Sequence, residues 1–162
     1  MIKKIGIITS GGDSPGMNAA IRSLVRSALY NNIECTGFYR GYQGLIENDY
    51  KPLGLRDVSQ RLGLGGTFLK SARSNEFLEK EYRSKAHENL KSHSVDLLVV
   101  IGGNGSIKGA SVFSNDFNFP VIGIPASIDN DVFGTDHSIG FDTSLNTITN
   151  SIDKIRDTAR SH

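Results

Sequence analysis

Apolar positions along this chain follow two alternating rhythms. Ile2 to Thr9 is a short isoleucine-rich run ending in glycine, as expected of a strand covered on both faces. From Met17 to Tyr30 the residues Met17, Ala20, Ile21, Leu24, Val25 and Ala28 recur every three or four positions, which predicts an amphipathic helix that stops at Asn31-Asn32. A second strand is predicted over Ile33 to Tyr39, a turn over Gly41 to Gly44, and a short helix over Asp57 to Leu62 ahead of the glycines of Gly63 to Gly66. Glu76 to Leu90 has mixed charge and few breakers and reads as a surface helix. Asp96 to Ile101 is the most apolar strand, followed by a helix marked by Ile107, Ala110 and Phe113 and by a strand over Phe119 to Ile124, closed by Pro125. Phe141, Leu145, Ile148, Ile152, Ile155 and Ala159 then step by four and three, predicting a long helix with a narrow apolar stripe.

Strand, glycine turn and helix repeat in that order. The pattern predicts an α/β fold, a three-layer α/β/α sandwich around a mostly parallel sheet, with any ligand at the carboxyl ends of the strands. Residues 1–140 are expected to form one α/β domain. Segment 141–162 is expected to be a helix whose stripe needs a partner, and its closeness to the end of the chain suggests a piece or a short version of a longer protein.

Composition narrows the function. The 162 residues, 38% of them hydrophobic, suffice for one sizeable core. Eighteen basic residues against seventeen acidic ones leave a net charge of +1, so no general field exists to hold nucleic acid or an anionic membrane, and any anion must be bound locally. One cysteine, Cys35, no apolar run of membrane length and no signal-like start give a cytoplasmic, soluble protein as the expectation.

Three segments carry candidate chemistry. Thr9-Ser10-Gly11-Gly12-Asp13 sits between a strand and a helix, where backbone amides and the helix dipole can receive a phosphate; the alternative is a tight turn needing positive φ. Gly102, Gly103, Gly105, Ser106 and Gly109 repeat the device at a second strand end. Neither loop matches the Walker A or GxGxxG pattern. Asp129-Asn130-Asp131 can supply a general base beside a metal ligand, or be a solvated turn. Arg73 could clamp a phosphoryl group or be a surface arginine, and Arg22 and Arg26 lie one helical turn apart. The four histidines show no metal-ligand spacing.

The runs KKIGIITSGGDSPGMNAAIR, GYQGL, GGTFLKSAR, VVIGG, IDNDVFGTD, IGFDT and IDKIRDTA, in this order, resemble the phosphofructokinase family, in particular its bacterial ATP-dependent 6-phosphofructokinases. The resemblance spans the whole chain and implies the amino-terminal half of a protein roughly twice as long, with 141–162 leading toward a sugar-phosphate domain. It implies ATP-dependent phosphorylation of fructose 6-phosphate to fructose 1,6-bisphosphate in glycolysis, with Mg2+ accompanying ATP, and a homotetramer for complete chains. By position, it assigns Gly12, Tyr42, Arg73, Ser74, Gly103, Asn104, Gly105, Ser106 and Gly109 to the nucleotide and Ser127, Ile128 and Asp129 to the sugar phosphate. Asp129 is then the base, Arg73 and Ser127 touch the transferring group, Asp131 and position 104 serve the metal, and Arg22, Arg26 and Ser59 belong to an effector site. Gly105 and Ala126 are the residues of ATP users rather than pyrophosphate users. The chain departs from the family pattern in carrying Asn104 for a metal-binding aspartate, Ser74 for an aromatic residue, and Leu55 and Gln60 for an effector-site arginine and aspartate. Those departures motivate an alternative, a non-catalytic subunit that keeps the fold for nucleotide binding or regulation. A pyrophosphate-dependent enzyme is the third reading.

Overall fold

A computed structural model describes residues 1–161. Its centre is β1 (Lys4–Ser10), which pairs in parallel with β2 (Glu34–Phe38) on one side and β4 (Leu97–Gly102) on the other. Beyond β2 lies β3 (Tyr50–Leu53), and beyond β4 lies β5 (Val121–Pro125), giving the order β3-β2-β1-β4-β5. All pairings are parallel except β2 with β3, which is antiparallel. The chain leaves β1 toward β2 and later returns on the opposite side as β4. That reversal opens a crevice between the carboxyl ends of β1 and β4.

Alternation along the two central strands builds two cores. Ile5 and Ile7 of β1 and Leu97, Val99 and Ile101 of β4 face one way, against Met17, Ile21, Val25 and Ala28 of α1 (Met17–Tyr30). Ile8, Leu98 and Val100 face the other way. There they meet Leu45 of α2 (Tyr42–Glu47), Ala86 and Leu90 of α3 (Lys80–Ser92) and Ala110 and Phe113 of α4 (Asn104–Phe117). Each fully buried Leu, Ile or Phe contributes about 1.5–3 kcal/mol by leaving water. The result is the expected three-layer sandwich. Strand ends moved by one or two residues from the apolar runs: the first begins at Lys4 rather than Ile2, and the last runs to Pro125 rather than Ile124.

Three local expectations are corrected. The turn expected over Gly41 to Gly44 is the start of α2, and an antiparallel strand, β3, follows it; Pro52 is tolerated because β3 is the sheet edge. Asp57 to Leu62 forms no helix: Ser59 N–H bonds Arg56 O, Gln60 takes φ 55°, and Val58 alone in the segment is fully buried, so there is no apolar face to hold a helix. The helix expected over Glu76 to Leu90 is interrupted at Glu79 (ψ 136°), which separates a 3-10 turn over Glu76–Leu78 from α3.

The long helix is present as α5 (Phe141–Arg160), but its stripe is open, with Leu145, Ile148, Ile152 and Ile155 between 47% and 70% exposed. His162, the last residue of the segment expected at 141–162, lies outside the described residues.

Candidate functional site

The crevice between β1 and β4 is a cavity of about 960 Å³ at the carboxyl ends of the strands. The glycines at these two strand ends sort into two kinds. A side chain at Gly102 would meet the Ser10 carbonyl and the Ser106 hydroxyl, and Gly11 takes φ 86°, so the fold itself needs glycine at both positions. At Gly12 and Gly105 a Cβ would meet nothing within 4 Å, and neither residue has positive φ. Packing within this chain gives no reason for glycine there. The space they leave open belongs to the cavity they line.

Helix α4 begins immediately after Gly103, and no side chain caps it. Its first-turn amides, from Asn104, Gly105 and Ser106, therefore sit at the cavity wall without a capping acceptor, an arrangement suited to an anion. Gly109 allows the Tyr42 ring to lie against this helix, with ring atoms 3.3–3.4 Å from where a Cβ would be. Tyr42 is buried, stacks on Phe77 at 3.8 Å and donates its hydroxyl to Ser106 O at 2.7 Å. Burial pushes its hydroxyl pKa well above the ordinary tyrosine range, so it stays a donor. Tyr42 is a wall that fixes the first turn of α4.

The third wall is the loop after β5. Ser127 N–H donates to Ile139 O and Ile139 N–H to Pro125 O, closing the loop at its stem. Inside, the Ser127 hydroxyl donates to Asp131 Oδ1 (3.2 Å) and accepts from Asp129 N–H (3.2 Å). Asn130 takes φ 51°, and its amide bonds Asp136 O and Ser138 N–H. The Asp131 carboxylate and the backbone of Asp129 thus have fixed positions at the edge of the cavity. Arg73 lines it from the side, exposed and without an ion-pair partner among the described residues.

All thirteen residues singled out for nucleotide, sugar phosphate, metal or chemistry line this one cavity: Gly12, Tyr42, Arg73, Ser74, Gly103, Asn104, Gly105, Ser106, Gly109, Ser127, Ile128, Asp129 and Asp131. Ser74 is turned partly away, its hydroxyl donating to Gln43 Oε1 at 2.8 Å and receiving Phe77 N–H at 3.3 Å. The sequence reading missed Asn75, Phe77, Leu78, Arg83, Lys108 and Val112, which also line it. Asn104, Lys108 and Val112 are spaced by four along α4, a face that helical spacing could have revealed. Arg83 has no such signal: it is fixed by Asp116 (2.7 Å) and the carbonyls of Phe77 and Leu78. Arg22 and Arg26 line a separate hollow of about 280 Å³ with Leu62, and Ser59 is not part of it.

No group of three or more His, Cys, Asp or Glu side chains gathers to hold a metal among the described residues. Magnesium commonly takes one or two carboxylates together with substrate phosphates, and the Asp129 and Asp131 loop fits that partial role. The Asn104 amide donates to Asp131 O at 3.0 Å, leaving its oxygen as the one metal-binding atom at that position.

The chain is 59% identical to an ATP-dependent 6-phosphofructokinase of Staphylococcus carnosus over 162 residues, 99% of this chain and 50% of that protein. It is 53% identical to ATP-dependent 6-phosphofructokinase 2 of Bacteroides thetaiotaomicron, covering 99% of this chain and 49% of the relative. It therefore spans about half the length of the curated relatives it matches. Among solved structures, phosphofructokinase from Saccharomyces cerevisiae superimposes with a TM-score of 0.94 at 38% identity, covering 99% of this chain and 25% of that one. The family profile described as Phosphofructokinase matches residues 4–162, so the strand ends, glycine loops and acidic loop just described are those of a member of the phosphofructokinase family.

Proposed function

We propose that this chain supplies the nucleotide-binding part of an ATP-dependent 6-phosphofructokinase. The observation that carries the reading is the convergence, in one cavity, of two glycine strand ends, an uncapped helix N-terminus, Arg73 and the Asp129 loop. In this reading the α4 amides and Gly12 receive the polyphosphate, and Leu78 and Val112, both exposed apolar residues, border the nucleoside. Gly105 leaves space beside the phosphates, which favours a nucleoside triphosphate over pyrophosphate.

The 1-hydroxyl oxygen of fructose 6-phosphate attacks the γ-phosphorus. The bond from that phosphorus to the β-bridging oxygen breaks, ADP leaves, and Asp129 takes the hydroxyl proton. Arg73 and Ser127 hold the transferring oxygens. Asp131 and the Asn104 oxygen would hold Mg2+, which when bound neutralises charge on the β- and γ-phosphates. Ile128 borders the sugar, and Arg22 and Arg26 line an effector site. In the whole protein, residues 1–140 are the nucleotide domain, 141–162 leads to a sugar-phosphate domain, and the assembly is a cytoplasmic homotetramer. No helix among the described residues is long and apolar enough to cross a membrane.

One observation favours a second reading, a non-catalytic nucleotide-binding subunit: position 104 offers the metal a neutral oxygen. Calorimetric titration of MgATP into the parent and Asn104→Asp separates the two. Comparable binding by both is expected. Binding by the variant alone moves the second reading ahead, and tighter binding of magnesium pyrophosphate than of MgATP overturns ATP as donor.

A further inference from the structure

The loop 127–138 carries both carboxylates of the site, yet among the described residues a single side-chain hydrogen bond joins it to α4. Asn104 Nδ2 donates to Asp131 O at 3.0 Å. The bonds already described extend this link inward: Asp131 accepts from the Ser127 hydroxyl, and the same hydroxyl accepts from the N–H of Asp129. A continuous chain therefore runs from the first residue of α4 to the backbone of Asp129.

The chemistry at its first step is a donor meeting an acceptor. A carboxylate at position 104 has no proton to offer the Asp131 carbonyl at neutral pH, and it would join Asp129 and Asp131 as a third negative group at one edge of the cavity. Two oxygens facing each other share no hydrogen and repel unless a cation, or a donor such as water, lies between them. The amide removes that need because the connecting positive charge is its own N–H.

We propose that Asn104 is a positioning residue that ties the acidic loop to α4 through its amide hydrogen, so that the closed position of the loop does not depend on a divalent cation. The inference stands on the hydrogen bond and not on the kinase reading, because its test contains neither nucleotide nor sugar.

The test is amide hydrogen exchange in the segment 127–139 of the parent protein, Asn104→Ala and Asn104→Asp, each in chelator and in millimolar magnesium. The segment reports directly, since the N–H groups of Ser127, Asp129 and Ser138 are hydrogen-bonded within it and that of Ile139 to Pro125 O at its stem. Loss of the Asn104 to Asp131 bond, worth one ordinary hydrogen bond, corresponds to opening of the segment and exchange about five-fold faster. The parent should exchange equally in both buffers, Asn104→Ala about five-fold faster in both, and Asn104→Asp faster in chelator but returned to the parent rate by magnesium. That rescue is an effect a merely structural side chain would not produce. The segment 97–102 in β4 controls for global unfolding, and the nearly isosteric Asn104→Asp carries the test if the alanine variant does not fold. The proposal is overturned if Asn104→Ala exchanges like the parent, if magnesium alone slows the parent several-fold, or if Asn104→Asp is indifferent to magnesium.

Discussion

Helices α1 and α5 have the same kind of apolar repeat and opposite environments. In α1 the stripe of Met17, Ile21 and Val25 is completely buried against the sheet, chiefly β1 and β2, whereas in α5 the stripe of Leu145, Ile148, Ile152 and Ile155 stays 47–70% exposed. Only Ser144, near its start, is buried. Periodicity states which side of a helix seeks an apolar neighbour, and it says nothing about whether this stretch of chain contains that neighbour. The α1 stripe finds a two-strand platform on both sides of its own connection, because β1 precedes it and β2 follows it in the same sheet. No such return follows α5 among the described residues.

The largest test of this contrast is a pair of equal truncations. Ile21→Ala should lower the unfolding free energy by about 2–4 kcal/mol, the usual cost of opening a cavity in a core. Ile152→Ala should change it by less than about 0.5 kcal/mol, since an exposed side chain leaves no cavity. Urea unfolding of both variants decides the matter, and equal losses would mean that the α5 stripe is packed in solution.

The two kinds of glycine sharpen it next. Gly102→Ala should cost about 1–3 kcal/mol by forcing β1 and β4 apart at their ends, while Gly105→Ala, entering open space, should leave the melting temperature within a degree or two. Gly105→Ala should instead weaken MgATP in calorimetry, which would separate a residue the sheet requires from one that the cavity requires.

Acid probes the packed side more gently. His87 stacks on Phe117 at 4.5 Å, and burial, aided by Lys91, holds its pKa below the ordinary 6.5. Its neutral form is the one the fold accepts, so its contribution is present above 6.5 and is lost as pH falls through 6.5 toward the lower folded value. Stability of His87→Gln measured across that window should fall less than that of the parent. The smallest expected signal comes from Cys35, which is buried and whose thiol burial pushes up to about 11. A thiol reagent at pH 8 should label it only at the rate of unfolding, with no faster phase in the native protein.

The strands and helices that the sequence revealed are those whose stability is local or periodic: β1, α1, β4 and α4 each have enough apolar repeat to identify them. Helix α2 has too few residues for that. It is held by Leu45 in the core and by the Asn89 amide, which donates to the carbonyls of Leu45 and Ile46 from α3, 44 and 43 residues away. A glycine and a glutamine among the first four positions of α2 read as a turn because the bonds that stabilise it come from elsewhere. The site divides in the same way. Its glycines, Arg73 and acidic loop were legible as residue types at strand ends, and family resemblance sorted them into one cavity. Arg83 was not, because only the folded chain brings Asp116 to it across 33 residues. Nor could the sequence show that the Asn104 amide would meet the Asp131 carbonyl.

The place of β1 at the centre of the sheet has a consequence for the order in which the protein is made. Its first strand cannot complete its pairing until β4 exists: the N–H groups of Lys3 and Lys4 donate to the Asp96 carboxylate, 93 and 92 residues later, and Ile5 aligns with Leu97. At about 5–20 residues per second, translation leaves β1 waiting roughly 5–20 s for that partner. During that time α1 and β2 can dock on it from one side only. The crevice between β1 and β4 is therefore a late product of synthesis, and a ribosome that pauses before residue 97 holds a nascent chain with three of the five strands and no crevice.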